Sequence, residues 1–204
     1  MTTDANSGCP AEPLALIKTL QQARDPLYAL LDAARDDAVL VLLREAGTAP
    51  VPLLRDTKAA ELEDYGAQLV ALRDRPGLIE RLVHRGWGRS WGIYLTSRTP
   101  EPELAAHLRG NCWTDSPDGR RLYFRWYDPR VLRTALPAMS ADGRDAFLGP
   151  VTGLLLEAAD PAEMDCWTRS RAEIAHSHMR VVIPDRPSRT WYEAPRPSPG
   201  DMTA

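Results

Sequence analysis

The chain has 204 residues, 44% of them hydrophobic and 26% charged, a balance too apolar for a disordered chain and large enough for one folded, soluble domain with an ordered appendage. A net charge of -3 and a pI near 5.8 argue against nucleic acid, because phosphate binding calls for a clustered basic excess. No segment reaches about 18 uninterrupted apolar residues and the first thirteen are polar, so no membrane segment is expected and the protein is read as cytoplasmic.

Lys18 and Lys58 are the only lysines among the 25 basic residues, and the remaining arginines suit ion pairs and protein interfaces. The three cysteines, Cys9, Cys112 and Cys166, are far apart, form no C-x-x-C pair and read as free thiols. No cofactor is implied.

In chain order, Leu14 to Ala23 has the spacing of a short amphipathic helix, with Leu16, Ile17 and Leu20 on one side. The apolar run Leu27 to Ala33 reads as a buried strand. Asp36 and Asp37 open a helix over Ala38 to Ala46, stopped by Gly47. Val51 to Leu54, flanked by Pro50, is a short strand at an edge, and Thr57 caps a helical turn through Asp64. Ala67 to Leu72 is the next strand. Pro76 and Gly86 bracket a helix with Leu78, Ile79, Leu82 and Val83 on one face.

Trp91 to Ser97 returns to strand character, and Thr99-Pro100 starts a helix that ends at Gly110. Cys112 to Asp115 and Arg121 to Tyr127 flank Ser116-Pro117-Asp118-Gly119, a hairpin turn signal. Asp128 caps a helix with Pro129 at its first position, which Pro137 stops. Asp160-Pro161-Ala162-Glu163 resembles a capping box and predicts a C-terminal helix to about Met179, followed by Val181-Val182-Ile183.

Strands alternating with helices predict a mixed α/β fold with a largely parallel sheet flanked by helices. The expected organisation is an N-terminal segment over 1–23, an α/β domain over 24–159, a short helical extension over 160–183, and a Pro, Arg and Ser-rich disordered tail over 184–204.

Candidate chemistry is sparse. The run 86–92 (GWGRSWG) has Trp91 where a dinucleotide-binding G-x-G-x-x-G needs glycine, and it follows a helix rather than a strand. No G-x-x-x-x-G-K-[ST], H-E-x-x-H or G-x-S-x-G occurs. His176 and His178 would share a face on a strand, but on the predicted helix they diverge, and no third metal ligand is evident. His84 and His107 lie near helix ends, where contact with terminal carbonyls would account for them without a catalytic role. Asp32, at the carboxyl end of the first strand, and Asp128 are the carboxylates an enzyme of this class would use; their structural roles are capping.

Aromatic residues concentrate between 87 and 127. Alternation sends only about half of them outward, and those that do face outward, beside arginines, have the composition of a protein interface. Trp87, Arg89, Arg125, Tyr127 and Arg130 are therefore the candidate partner-binding residues.

The order LYALLDAA at 27–34, AQLVAL at 67–72, GWGRSWGIYLTS at 86–97, LAAHLR at 104–109, LYFRWYDPRVL at 122–132 and FLGPV at 147–151 resembles one bacterial family, the type VI secretion effector adaptors, or effector chaperones. The resemblance covers about residues 26–152. It implies a non-enzymatic protein whose partners are a toxic effector and the VgrG spike on which that effector is mounted. The competing readings are an enzyme built on Asp32 and Asp128, and a self-associating structural protein.

Overall fold

The computed structural model describes residues 14–54, 63, 65–170 and 173–181. The helical turn expected between Thr57 and Asp64 falls almost wholly outside them, as do the N-terminal residues 1–13 and the tail from 184 onward.

The first half of the chain runs α1 (Leu14–Gln21), β1 (Leu27–Asp32), α2 (Ala38–Glu45), β2 (Val51–Pro52), β3 (Ala67–Ala71), α3 (Pro76–Gly86) and β4 (Gly92–Ser97). The second half runs α4 (Glu101–Gly110), β5 (Trp113–Asp115), β6 (Arg121–Tyr123), α5 (Pro129–Ala138), α6 (Ala141–Leu148), β7 (Val151–Glu157), β8 (Glu163–Arg169) and β9 (Ile174–Arg180).

Seven strands form one sheet in the order β2-β3-β1-β4-β7-β8-β9, and β5-β6 form a separate hairpin. Helices cover both faces of the large sheet. Leu16, Ile17 and Leu20 of α1, Val39, Leu42 and Leu43 of α2, and Leu78, Ile79, Leu82 and Val83 of α3 pack with Ala29 and Leu31 of β1. On the opposite face Leu104 and Leu108 of α4, Leu132 and Leu136 of α5, and Leu148 of α6 pack with Leu30 of β1 and Ile93 and Leu95 of β4. Covered on both sides, β1 is buried along its whole length, which explains why it reads as a continuous apolar run rather than an alternating one.

Two expectations are corrected. First, the sheet is not largely parallel: every neighbouring pair in it is antiparallel. The alternation of strand and helix is real, and β3-α3-β4 is a crossover between two strands that point the same way. The slot between them is filled by β1, which pairs antiparallel to both, Leu30 lying opposite Leu69 on one side and Ile93 on the other.

Second, the segment from Asp160 is not a helical extension. Residues 163–169 and 174–180 are β8 and β9, and they continue the main sheet. The Asp160 carboxylate does accept a backbone hydrogen bond, from Ala162 N at 2.9 Å, but it shapes the turn into β8 rather than a helix start. Asx turns and N-caps share this local bond, so the signature alone does not choose between them. The alternation beyond it does: Met164 and Cys166 join one core and Trp167 the other. The predicted elements include neither α6 nor β7; α6 nevertheless starts at an N-cap serine, Ser140, whose hydroxyl accepts from Gly143 N at 3.1 Å, and β7 pairs directly with β4 in the centre of the sheet.

Candidate functional site

The GWGRSWG run is the turn from α3 into β4, and each glycine in it has a steric reason. At Gly86 a Cβ would sit 2.6 Å from the Trp91 ring, so the helix end is cut back to admit the indole. Gly88 adopts φ 74, and Ser90 follows it into the left-handed region at φ 57. Trp91 is buried and its indole donates to Asp36 Oδ2 at 3.0 Å, just ahead of α2.

The turn is tied to the rest of the sheet by Glu157 at the end of β7. Its carboxylate accepts from the backbone N–H of Gly88 at 2.7 Å and of Ser90 at 3.2 Å. The Trp87 indole reaches Pro161 O at 2.8 Å, locking the turn to the β7-β8 connection. Trp87 is therefore a core residue, stacked at 6.4 Å on Tyr94, and not a surface aromatic. Tyr127 is buried as well, its hydroxyl 3.2 Å from that of Tyr123. Burial raises both phenols, that of Tyr123 to about 12, so they remain protonated.

The three arginines of the candidate set gather at one end of the sheet, around the carboxyl end of β1. Arg125 pairs with Asp32, the last residue of β1 and fully buried. Asp32 N donates to Trp91 O at 2.7 Å, which places the GWGRSWG turn beside it. Arg89, on that turn, lies 3.9 Å from Asp36, and its carbonyl accepts from Arg35 Nε at 3.3 Å. Arg130 closes on Asp128 and is near enough to Arg125 to feel its charge.

The side chains of Arg89, Arg125 and Arg130 are 58, 43 and 45% exposed. Each is paired with an aspartate, so this end is not a bare positive patch. It is a rim of partly solvated guanidinium forks fixed by carboxylates beneath them, with donors left to face outward.

Asp32 and Asp128, the candidates for acid-base chemistry, are thus held in ion pairs. Asp128 also caps α5, accepting from Arg130 N at 2.9 Å. A groove of about 410 Å³ opens between α1, the start of β1 and the start of α3, and neither carboxylate lines it.

Burial pushes the Asp128 carboxyl up, but the hydrogen bonds from the Arg130 side chain and N–H, with the nearby positive charges, outweigh it and leave the pKa below 3.8. A carboxyl depressed on folding stabilises above its unfolded value and loses that contribution as pH falls through its folded one. Arg130→Met leaves Asp128, whose side chain is only 4% exposed, without its charged partner and is accordingly expected to lower stability by about 2 kcal/mol at pH 7. Urea titrations from pH 7 to pH 2.5 should show the gap from wild type closing below about 3.8.

One exposed aromatic surface is a hairpin that alternation does not single out. In the β5-β6 hairpin Trp113 faces Tyr123 in register, edge to face at 5.3 Å, and the Arg121 guanidinium lies 4.7 Å over the Trp113 ring. Trp113 is 37% and Leu122 44% exposed, on opposite faces of a hairpin that the seven-stranded sheet does not adopt. The signal available was the Asp-Gly turn: a three-residue hairpin arm is too short to bury its own apolar residues.

A family described as "Domain of unknown function (DUF4123)" matches residues 27–146, a span holding both the GWGRSWG turn and the FRWYDPRVL block. No curated protein and no solved structure matches the chain. Among the described residues no helix is long and apolar enough to cross a membrane. The chain is a member of the DUF4123 family, which is associated with type VI secretion effector adaptors.

Proposed function

We propose that the protein is a non-enzymatic cytoplasmic adaptor that binds a type VI secretion toxin effector and helps load it onto the VgrG spike. The observation that carries this reading is the family match, which covers β1–β4 of the sheet and helices α2–α5. The geometry supports it through two surfaces at neighbouring places in the chain. The paired-arginine rim formed by Arg89, Arg125 and Arg130 offers oriented donors, and the β5-β6 hairpin offers exposed Trp113 and Leu122. Trp, Tyr and Arg are the residues that dominate binding energy where proteins meet.

An isolated two-stranded hairpin is marginal in water, and covering it with an effector segment would stabilise both partners. Tyr123, at its base, is anchored to the core through Tyr127, so the hairpin can present its side chains from a fixed root.

The test is co-purification of the full chain with VgrG and with a type VI secretion toxin from the same genome. Capture of the toxin is expected; binding to neither would overturn the proposal. The double variant Trp113→Ser, Leu122→Ser should weaken toxin capture at least about tenfold, the loss typical of removing one interface anchor. Because both residues lie outside the two cores and only the Trp113 contacts with Tyr123 and Arg121 are lost, its melting temperature should stay within about 5 °C of wild type. Undiminished capture would remove the hairpin from the interface while leaving the adaptor role standing.

A further inference from the structure

The strand geometry that replaces the expected C-terminal helix also changes what its histidines can do. On a helix, residues two apart diverge; on β9, His176 and His178 project from the same face. Their cross-strand partners on β8 are Trp167 and Asp165. Asp165 Oδ1 lies 3.1 Å from His176 Nε2 and 2.7 Å from His178 Nδ1, and one ligand atom from each of the three residues falls within 4.8 Å of the others.

We propose that Asp165, His176 and His178 form a binding site for a divalent transition-metal cation of the zinc class, which clamps β9 to β8. Two imidazoles and one carboxylate, without a thiolate, suit zinc, nickel or cobalt, whereas calcium and magnesium prefer all-oxygen shells. Bonds of about 2.0–2.1 Å place neighbouring ligand atoms roughly 3.0–3.4 Å apart, so a cation needs the two Asp165–histidine spacings to open by no more than a few tenths of an ångström.

Three protein ligands leave at least one coordination position for water. His178, whose side chain is 63% exposed, opens the site to solvent. Cys166 is not a fourth ligand, since it projects to the other face of β8, where its thiol meets Met179 Sδ at 3.7 Å.

The cluster is braced as ligand groups need to be. Asp165 has a side chain only 9% exposed, so its orientation is fixed by surrounding protein. The His176 ring stacks on Trp167 at 4.0 Å with an interplanar angle of 10°, and the Arg144 guanidinium lies 5.0 Å over the same indole. A ligand ring held by stacking loses little freedom on binding a metal.

The consequence falls on a strand that needs support. β9 ends the strand order of the sheet, and all but its first residue is exposed. An edge of this kind frays or pairs with foreign strands unless it is protected. The site also lies beyond residue 146, outside the family match, and is therefore a feature of this chain's C-terminal strands.

The experiment is zinc titration of the tag-free full chain by calorimetry, paired with thermal melts in chelator and in zinc. The expected results are one equivalent bound and a melting temperature raised by roughly 5–10 °C when free zinc exceeds Kd a hundredfold. The double variant His176→Gln, His178→Gln retains His84 and His107; it should melt within about 3 °C of wild type in chelator yet bind zinc at least tenfold more weakly. Absorption of the cobalt complex gives a second readout: d–d bands should appear in the wild type and be absent from the variant. Failure of the wild type to take up zinc, or equal uptake by the variant, overturns the proposal.

Discussion

Gly92→Ala is expected to keep folded protein from accumulating, whereas Gly110→Ala, the same change elsewhere, should leave stability unchanged or slightly raised. At Gly92 the backbone has φ 158, and a Cβ would lie 2.1 Å from Leu30 O and 2.9 Å from Leu31 Cα. Both atoms belong to the backbone of β1, the most buried strand, in direct register with β4. No rotamer can relieve that contact, so the central strand pair must separate and break ladder hydrogen bonds that no water can replace. The cost is about 3 kcal/mol or more, a large fraction of the 5–15 kcal/mol that holds a typical domain together.

Gly110 closes α4, and nothing lies within 4 Å of where its Cβ would be. There alanine contributes helix propensity of up to about 1 kcal/mol. Soluble yield and urea midpoints of the two variants, measured side by side, check the contrast. A Gly92→Ala protein with a wild-type midpoint would mean that β1 and β4 do not approach as described.

Local signals carried most of the elements between residues 14 and 138. The Pro76 start and Gly86 stop of α3 coincide with its observed ends, and Asp128 caps α5 as its position before Pro129 implies. Strand direction was not legible, because burial pattern depends on which faces are covered and not on which way the chain runs. β1 looks the same in either orientation when helices lie on both sides.

The C-terminal strands failed for a different reason. Asp160 makes the same short-range bond in a turn as in a cap, and the feature that separates them is the two-residue alternation of 164–167 further on. Of the five candidate partner-binding residues, the three arginines are partly exposed, which partner binding requires but does not by itself establish. The two aromatics were not separable from core residues, since Trp87 follows a helix and Tyr127 precedes one, and neither position has a period that reports its facing. Asp165 carried no signal of its own, because its partners are 11 and 13 residues away and meet it only once both segments are strands.

Arg125→Ala should cost more stability than Asp32→Asn, although both remove one half of the same ion pair. Asp32 has 0% side-chain exposure and Arg125 43%, so the partners lose unequally. Without the guanidinium, Asp32 is left as a buried carboxylate whose Oδ1 still accepts from Ala34 N at 3.2 Å, an insufficient replacement for a charged donor. The expected loss is about 3 kcal/mol, the lower end for breaking a buried pair because half of this one already meets water.

Asparagine at position 32 keeps the shape and an acceptor for Ala34 N, and Arg125 can turn its charge to solvent. Its cost is then nearer 1 kcal/mol. The double variant Asp32→Asn, Arg125→Met should be more stable than Arg125→Ala alone, since it leaves no buried charge to neutralise. Urea denaturation of the three variants, with toxin capture measured on each, separates two roles for Arg125. If the arginine also contacts the partner, both Arg125 variants lose capture, while Asp32→Asn retains it. If instead Asp32→Asn costs more than Arg125→Ala, the carboxylate has a task beyond neutralising its arginine. That outcome would give the acid-base reading of Asp32 a basis that an ion pair alone does not supply.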